Sequence, residues 1–299
     1  MKITFHLYTL SIVALSSAVI NCGGPAADDS ALDTETLAAP TSSPSRIHIM
    51  PLRNPSDPPP SEDRQSQAAK TLTNYGGPVL KNVKVYPINW GSAPRCSSNI
   101  DSGYTALVSS SIYTSLLPQY GGIGVGSNHA TYTDTAASTA TSLTDAQIRT
   151  ELTRLINAGA VPRPDANTYY PIHFPSGRKI TGSDGSQSCV QFCAYHGTYV
   201  LNGVNVNYGI IPDVGDSGCA GGCGASTQCN NTTSVMSHEL VEATTDPAVG
   251  LATVYGPPLA WYNRTYGEIG DICNGQQTTA NGITVQTEWS NKLNKCSVN

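Results

Sequence analysis

Apolar and polar residues alternate with a period of two in several short segments of the chain. Residues 78–90, PVLKNVKVYPINW, alternate in this way and are rich in Val, Ile and Tyr, which predicts the first strand. Residues 169–175 predict another strand, and short strands are expected around residues 261–263 and 283–290. In residues 198–214, Asn202-Gly203 separates two β-rich runs, the pattern of a tight hairpin.

Helical periodicity dominates three other segments. Residues 104–117 have a helical pattern, and residues 143–159 predict a helix with a capping box at Thr144 and Gln147 and an end at Gly159. SVMSHELVEATTDP, residues 234–247, predicts a third helix that ends near Asp246. The expected fold is therefore mixed α/β, a single domain with one main β-sheet and flanking helices.

The N-terminus has the pattern of a secretory signal. Lys2 precedes an apolar run from Ile3 to Ile20, which predicts a signal peptide over residues 1–22. A membrane-spanning helix is the alternative, but polar residues interrupt the short run. Residues 23–70 are rich in Pro, Ser, Ala and Asp, which predicts a disordered tether and places the globular domain at residues 71–299.

The chain has nine cysteines, an odd number for a secreted protein. Cys22 follows the apolar run and precedes Gly-Gly, as in a lipidated lipoprotein cysteine, although cleavage after Ala18 is the alternative. The other eight would form four disulfides. Cys273 and Cys296 are predicted to pair because they bracket the C-terminal strand. A thiolate zinc cluster of Cys189, Cys193, Cys219, Cys223 and Cys229 is the competing hypothesis.

The third helix carries a candidate metal site. His238 and Glu242 are four residues apart and share one helix face, while Glu239 lies about 100° around the axis. This is the H-E-x-x-H pattern of zinc hydrolases with glutamate in place of the second histidine, which predicts a zincin-like helix with Glu239 as the base. Zinc is expected first, with manganese or calcium as alternatives.

Further ligands are expected from GEIGDIC, residues 267–273. Glu268 is predicted to complete the metal set, and Asp271 is predicted to orient His238 through its other ring nitrogen. His196 is the candidate for an additional catalytic residue, although a lone histidine is more often packed in the core.

A solvated helix face is the competing interpretation of His238, Glu239 and Glu242. Against it, no Lys or Arg occurs between Lys179 and Arg264, whereas six acidic residues do. An acidic cluster without basic neighbours favours a bound cation.

The chain resembles a known family in four segments taken in order: LTNYGGPVLKNVKVYPINWG, CVQFCAYHGTY, NVNYGIIPDVGDSGCAGGCG and SHELVEATTDP. They are similar to segments of the EXORDIUM-like, or phosphate-induced protein 1, family over residues 71–299. The resemblance implies a secreted, cell-wall-associated or extracellular protein, and the family has no established enzymatic activity to carry over to this chain. The metal site is derived from the residues alone, on a microbial branch that carries the H-E-x-x-E helix.

Two functions follow as hypotheses. The first is a secreted metal-dependent hydrolase, in particular a peptidase, acting on an extracellular protein or a cell-wall substrate. The second is a non-catalytic extracellular protein that binds cell-wall carbohydrate or a surface partner through Tyr or Trp, although the three tryptophans also suit a core. The net charge of −5 gives no basis for nucleic-acid binding. Membrane attachment is expected only through a lipid at Cys22.

Overall fold

A computed structural model describes residues 48–53 and 70–299, all of which belong to the compact unit Ser42–Asn299. The predicted signal peptide, Cys22 with its lipidation, and most of the predicted tether lie outside the described residues.

Three α-helices and several shorter helical turns occur in the described part of the chain. The α-helices are α1 (Ser97–Val108), α2 (Asp145–Ala158) and α3 (Gln228–Thr245). A π-helical turn spans Ile112–Leu116, and 3-10 turns span Leu117–Gln119, Val249–Leu251 and Asp271–Cys273.

The strands of the described residues are mostly short. They are β1 (His48–Pro51), β2 (Thr73–Asn74), β3 (Lys84–Val85), β4 (Ile88–Trp90), β5 (Ser127–Asn128), β6 (Tyr132–Asp134), β7 (Ser142–Thr144), β8 (Thr168–His173), β9 (Lys179–Thr181), β10 (Phe192–Leu201), β11 (Val204–Ile211), β12 (Trp261–Tyr262), β13 (Gln277–Ala280), β14 (Ile283–Gln286), β15 (Glu288–Ser290) and β16 (Lys295–Ser297).

One mixed sheet organises the fold. Its strand order is β1-β10-β11-β8-β3-β5, and β4 pairs with both β8 and β6. The β1, β10 and β11 pairings are antiparallel, whereas β8 pairs in parallel with β11, β3 and β4. The predicted mixed α/β class with one main sheet and flanking helices is confirmed.

The β10–β11 hairpin turns where the sequence predicts. Asn202 has φ 50° and Gly203 has φ 82°, so both turn residues occupy the left-handed region that Asn and Gly tolerate best. The turn fixes the register that places Gly209 opposite His196. A local sequence signal therefore sets the position of a candidate site residue.

The helix predictions differ in accuracy. For α2, the Thr144 hydroxyl accepts from the Gln147 backbone N–H, the Gln147 side chain accepts from the Thr144 N–H, and Gly159 ends the helix at φ 70°. The predicted helix at 104–117 is instead α1, which begins at Ser97 and ends at Val108 before the separate π-helical turn. The segment just before Ser97 is tied to α3 by a disulfide at Cys96, a constraint that local periodicity does not reveal.

The predicted tether contains an ordered strand. His48–Pro51 pairs antiparallel with β10, so residues 48–51 belong to the main sheet. Met50 is buried against Cys193, Ile211 and neighbouring apolar side chains. The short apolar run Ile-His-Ile-Met therefore has enough hydrophobic surface to dock, which the polar composition of its flanks conceals.

All eight cysteines of the described residues form disulfides. The pairs are Cys96–Cys229, Cys189–Cys219, Cys193–Cys223 and Cys273–Cys296, the last being the pair that the sequence predicts. This pairing rules out the thiolate zinc cluster. Four disulfides are typical of a protein that folds in an oxidising, extracytoplasmic compartment. No helix of residues 48–53 and 70–299 has the length and apolar character needed to cross a membrane.

Candidate metal centre

The helix that carries the H-E-x-x-E pattern lies in the interior of the domain. Every residue of α3 from Asn231 to Thr245 is buried, and the helix packs against β10, β11, β14 and α1. His238, Glu239 and Glu242 each have a relative exposure of 0%. The solvated-face interpretation is therefore wrong. The helix ends at Asp246 as predicted, and the carboxylate of this residue accepts from the Ala260 N–H at 2.9 Å.

His238 and Glu242 meet on one face of α3, as their spacing predicts. His238 Nε2 lies 3.1 Å from Glu242 Oε2 and 4.0 Å from Asp271 Oδ1. One ligand atom from each of these three residues falls within 4.8 Å of the other two. One imidazole nitrogen and two carboxylate oxygens at this spacing suit a divalent cation of the zinc or manganese type.

The loop after β12 delivers Asp271 to α3. The Asp271 N–H donates to Glu242 Oε1 at 3.0 Å, and the Glu268 N–H donates to Asp271 Oδ2 at 3.0 Å. A Cβ added at Gly270 would lie 2.6 Å from His238 Nδ1 and 2.9 Å from Glu242 Oε1, closer than real Cβ atoms approach. Because Gly270 has no side chain, its backbone can contact the side chains of both His238 and Glu242. The Cys273–Cys296 disulfide holds the end of this segment.

Glu268 takes a different place from the one predicted. Its Oε2 lies 3.0 Å from Nε2 of His196, which enters from β10, and the same nitrogen is 3.7 Å from Glu242 Oε2. The third donor grouped with His238 and Glu242 is thus Asp271. Asp271 lies in this group because its backbone N–H donates a hydrogen bond to the Glu242 carboxylate. His196, Glu239 and Glu242 form a second group of three donors within 4.8 Å.

Gln286, rather than Asp271, meets the other ring nitrogen of His238. Its Nε2 lies 2.8 Å from His238 Nδ1 and also donates to the Gly270 carbonyl at 2.8 Å. In this arrangement Nδ1 accepts, so Nε2 carries the proton and lies 3.1 Å from Glu242 Oε2. Coordination of a cation by Nε2 requires that proton on Nδ1 and the Gln286 amide turned, so that its oxygen accepts from the ring.

Sequence reasoning missed Gln286, although a signal was present. Gln286 and Glu288 are polar residues two positions apart in the β-rich segment ITVQTEWS, residues 283–290, and both are 0% exposed. Buried polar residues with this spacing indicate a strand face that meets a polar centre.

Glu288 adds another buried carboxyl beside the donor set. Burial raises its pKa well above the ordinary value, and the negative charges of Glu242 and Asp271 raise it further. Neither of its oxygens has a hydrogen-bond partner among residues 48–53 and 70–299. A buried carboxyl without a partner is costly, so this region of the interior favours an additional ligand such as a cation or its water.

Some acidic residues between Lys179 and Arg264 have a basic partner in the folded chain, although the sequence of this stretch contains no Lys or Arg. Arg95 forms ion pairs with Asp213 and Asp216, both at 3.0 Å. A basic residue from a distant segment therefore neutralises two of the six acidic residues. The acidic groups that still favour a cation are the carboxylates around His238 and His196.

His173 gives a pH prediction outside the donor set. It is buried, its Nε2 lies 3.0 Å from the Tyr104 hydroxyl, and burial lowers its pKa to about 3. Because the unfolded chain binds this proton near pH 6.5, the neutral ring stabilises the fold fully above that pH and loses the contribution as pH falls toward 3. The slope is about 1.4 kcal/mol per pH unit. In denaturant titrations between pH 6.5 and 4.5, His173→Gln should lose about 2 to 3 kcal/mol less stability than the unmodified chain.

The exposed His129 supplies the control for that experiment. His129→Gln should leave the pH dependence unchanged. Equal slopes for the His173 variant and the unmodified chain would contradict the assignment.

The fold and the donor set together define a disulfide-stabilised mixed α/β domain with a buried histidine–carboxylate centre. No protein-family model, curated protein or solved structure matches the chain. The function is therefore argued from the centre itself.

Proposed function

We propose that this chain is an extracytoplasmic protein that binds a divalent cation between α3 and the segment around Asp271. His238, Glu242 and Asp271 would hold the cation, and zinc or manganese suits this set of nitrogen and oxygen donors. The cation would join the central helix to the C-terminal part of the domain and neutralise buried carboxylates. Its role in this proposal is structural.

The grouping of the three donors carries the proposal. Their ligand atoms lie within 4.8 Å of one another although the residues come from two segments that are distant in sequence. The Asp271 N–H bond to Glu242 and the close approach of Gly270 hold the two segments in this relation. The Glu288 carboxyl is a further buried acidic group that a cation would stabilise, because it has no hydrogen-bond partner among residues 48–53 and 70–299 and because burial and the charges of Glu242 and Asp271 raise its pKa.

A metal-dependent hydrolase, in particular a peptidase, is the second candidate. It is favoured by the position of Glu239, which directly follows a metal-donor histidine and shares a donor group with His196 and Glu242. A peptide bond must reach the base, however, and both Glu239 and His196 are 0% exposed. This burial favours the structural role.

The extracellular setting and the partner belong to the same proposal. Four disulfides and the EXORDIUM-like segments support a secreted or cell-surface protein, with a lipid at Cys22 as one route of attachment. Trp90 and Trp289 are buried, so a carbohydrate would have to use other aromatic residues. Aromatic side chains with exposed surface for such a sugar include Tyr266, which is exposed, and Tyr75, Tyr255 and Trp261, which are half-buried.

Elemental analysis of the full chain, purified without chelators, tests the cation proposal. We expect at least one equivalent of a divalent metal, removable by chelation, with a lower unfolding temperature for the stripped protein. A cation at about a thousand times its Kd stabilises a fold by roughly 4 kcal/mol. The exposed His129→Gln should behave as the unmodified chain does.

A folded chain that contains no metal, and whose unfolding temperature does not respond to zinc or manganese, would overturn the proposal. Peptide hydrolysis by the loaded protein that is lost in Glu239→Gln would place the hydrolase first.

A further inference from the structure

Glu242 belongs to both donor groups of the centre. One group is His238, Glu242 and Asp271, and the other is His196, Glu239 and Glu242. The two histidines fall in different groups and come from different elements, α3 and β10. Each group has one imidazole and two carboxylates, so each has a donor set typical of a divalent cation.

Helix geometry explains why Glu242 is shared. At 100° per residue, Glu239 lies 100° from His238, whereas Glu242 lies at about 40°, between the two. His238 and Glu239 therefore point in different directions, and Glu242 is within reach of both. The observed distances agree, because Glu242 Oε2 lies 3.1 Å from His238 Nε2 and 3.7 Å from His196 Nε2.

The main β-sheet holds His196, the histidine of the second group. The backbone of His196 is paired with His48 in β1 and with Gly209 in β11. Its Nε2 is also 3.0 Å from Glu268 Oε2, so Glu268 adds a third carboxylate and a fourth donor residue to this group. All four side chains around this position, His196, Glu239, Glu242 and Glu268, are 0% exposed.

We propose that the centre binds two divalent cations bridged by Glu242. His238, Glu242 and Asp271 hold the first cation, and His196, Glu239, Glu242 and Glu268 hold the second. This inference rests on the proposed function, because it adds a second cation to the same centre. Glu239, Glu242, Glu268 and Asp271 carry four negative charges when ionised, equal to the charge of two divalent cations. Pairs of metal ions in proteins lie about 3.5 to 4 Å apart.

Titration of the full chain with zinc alone, after chelation and dialysis, counts the sites. We expect two equivalents by calorimetry and elemental analysis. His196→Gln and Asp271→Asn should each retain one, because each removes a donor from only one group. The exposed His129→Gln is the matched control and should retain two.

Manganese alone supplies a measurement that needs no variant. The electron paramagnetic resonance spectrum of the unmodified chain should show two exchange-coupled ions, since the bridge places them close together. Binding of only one equivalent of zinc, together with an uncoupled manganese spectrum, would overturn the proposal of a second cation. The proposed function with a single cation would then remain supported. No bound metal in a folded chain would overturn both.

Discussion

Glu242→Ala is expected to abolish cation binding and to lower the free energy of unfolding by about 3 kcal/mol or more. Glu242 is common to both donor groups, so its removal leaves His238 and Asp271 alone in the first group and takes the bridging carboxylate from the second. It also removes the carboxylate oxygen that lies 3.1 Å from His238 Nε2 and the acceptor of the Asp271 N–H at 3.0 Å. A buried polar group that loses its partner is left desolvated and uncompensated.

Two further variants separate the loss of metal from the loss of packing. Glu242→Gln keeps the shape and a carbonyl oxygen for the Asp271 N–H, and it should also lose metal while losing less stability. The exposed His129→Gln should change neither the metal content nor the stability. Circular dichroism, thermal unfolding and elemental analysis provide the readouts. Retention of stoichiometric metal by folded Glu242→Ala would contradict the assignment of the centre.

Removal of the Cys96–Cys229 disulfide is expected to cost about 5 kcal/mol of unfolding free energy. The bond closes a sequence separation of 133 residues, and the loss of chain entropy in the unfolded state grows with the logarithm of loop length. It also ties the start of α1 to the first turn of α3, the helix that carries the donors. The double variant Cys96→Ser/Cys229→Ser avoids leaving a free thiol.

The matched control is Cys189→Ser/Cys219→Ser, whose bond closes a separation of only 30 residues. The same relation gives about 3.5 kcal/mol for that variant. Guanidinium unfolding of the unmodified chain and the two double variants measures which disulfide contributes more to the free energy of unfolding. A smaller loss for the Cys96 and Cys229 variant than for the control would show that loop closure does not govern its effect.

The sequence predicted most reliably where one local interaction decides the structure. The Thr144 capping box, the Asn202-Gly203 turn and the end of α3 at Asp246 each depend on a few neighbouring residues. The His238 and Glu242 pairing likewise follows from helix periodicity. These features need no knowledge of what packs against them.

Features that depend on distant segments were predicted less well. The partner of His238 Nδ1 is Gln286, 48 positions away, and the position of Asp271 depends on a backbone bond to Glu242. The stretch between Lys179 and Arg264 contains no Lys or Arg, but Arg95 from outside it forms ion pairs with two of its acidic residues. Only tertiary structure brings these groups together, so spacing along the chain cannot assign them.

The pairing of β1 with β10 bears on where the domain can be shortened. A chain that begins at residue 71 would lack β1 and expose the backbone N–H and C=O groups along one side of β10. A bare edge strand of this kind is a template for association with other chains. His196 lies on that edge and is paired with His48, so the same truncation would loosen the backbone that carries a donor of the centre. The short segment around Met50 thus protects the domain from aggregation as well as completing its sheet.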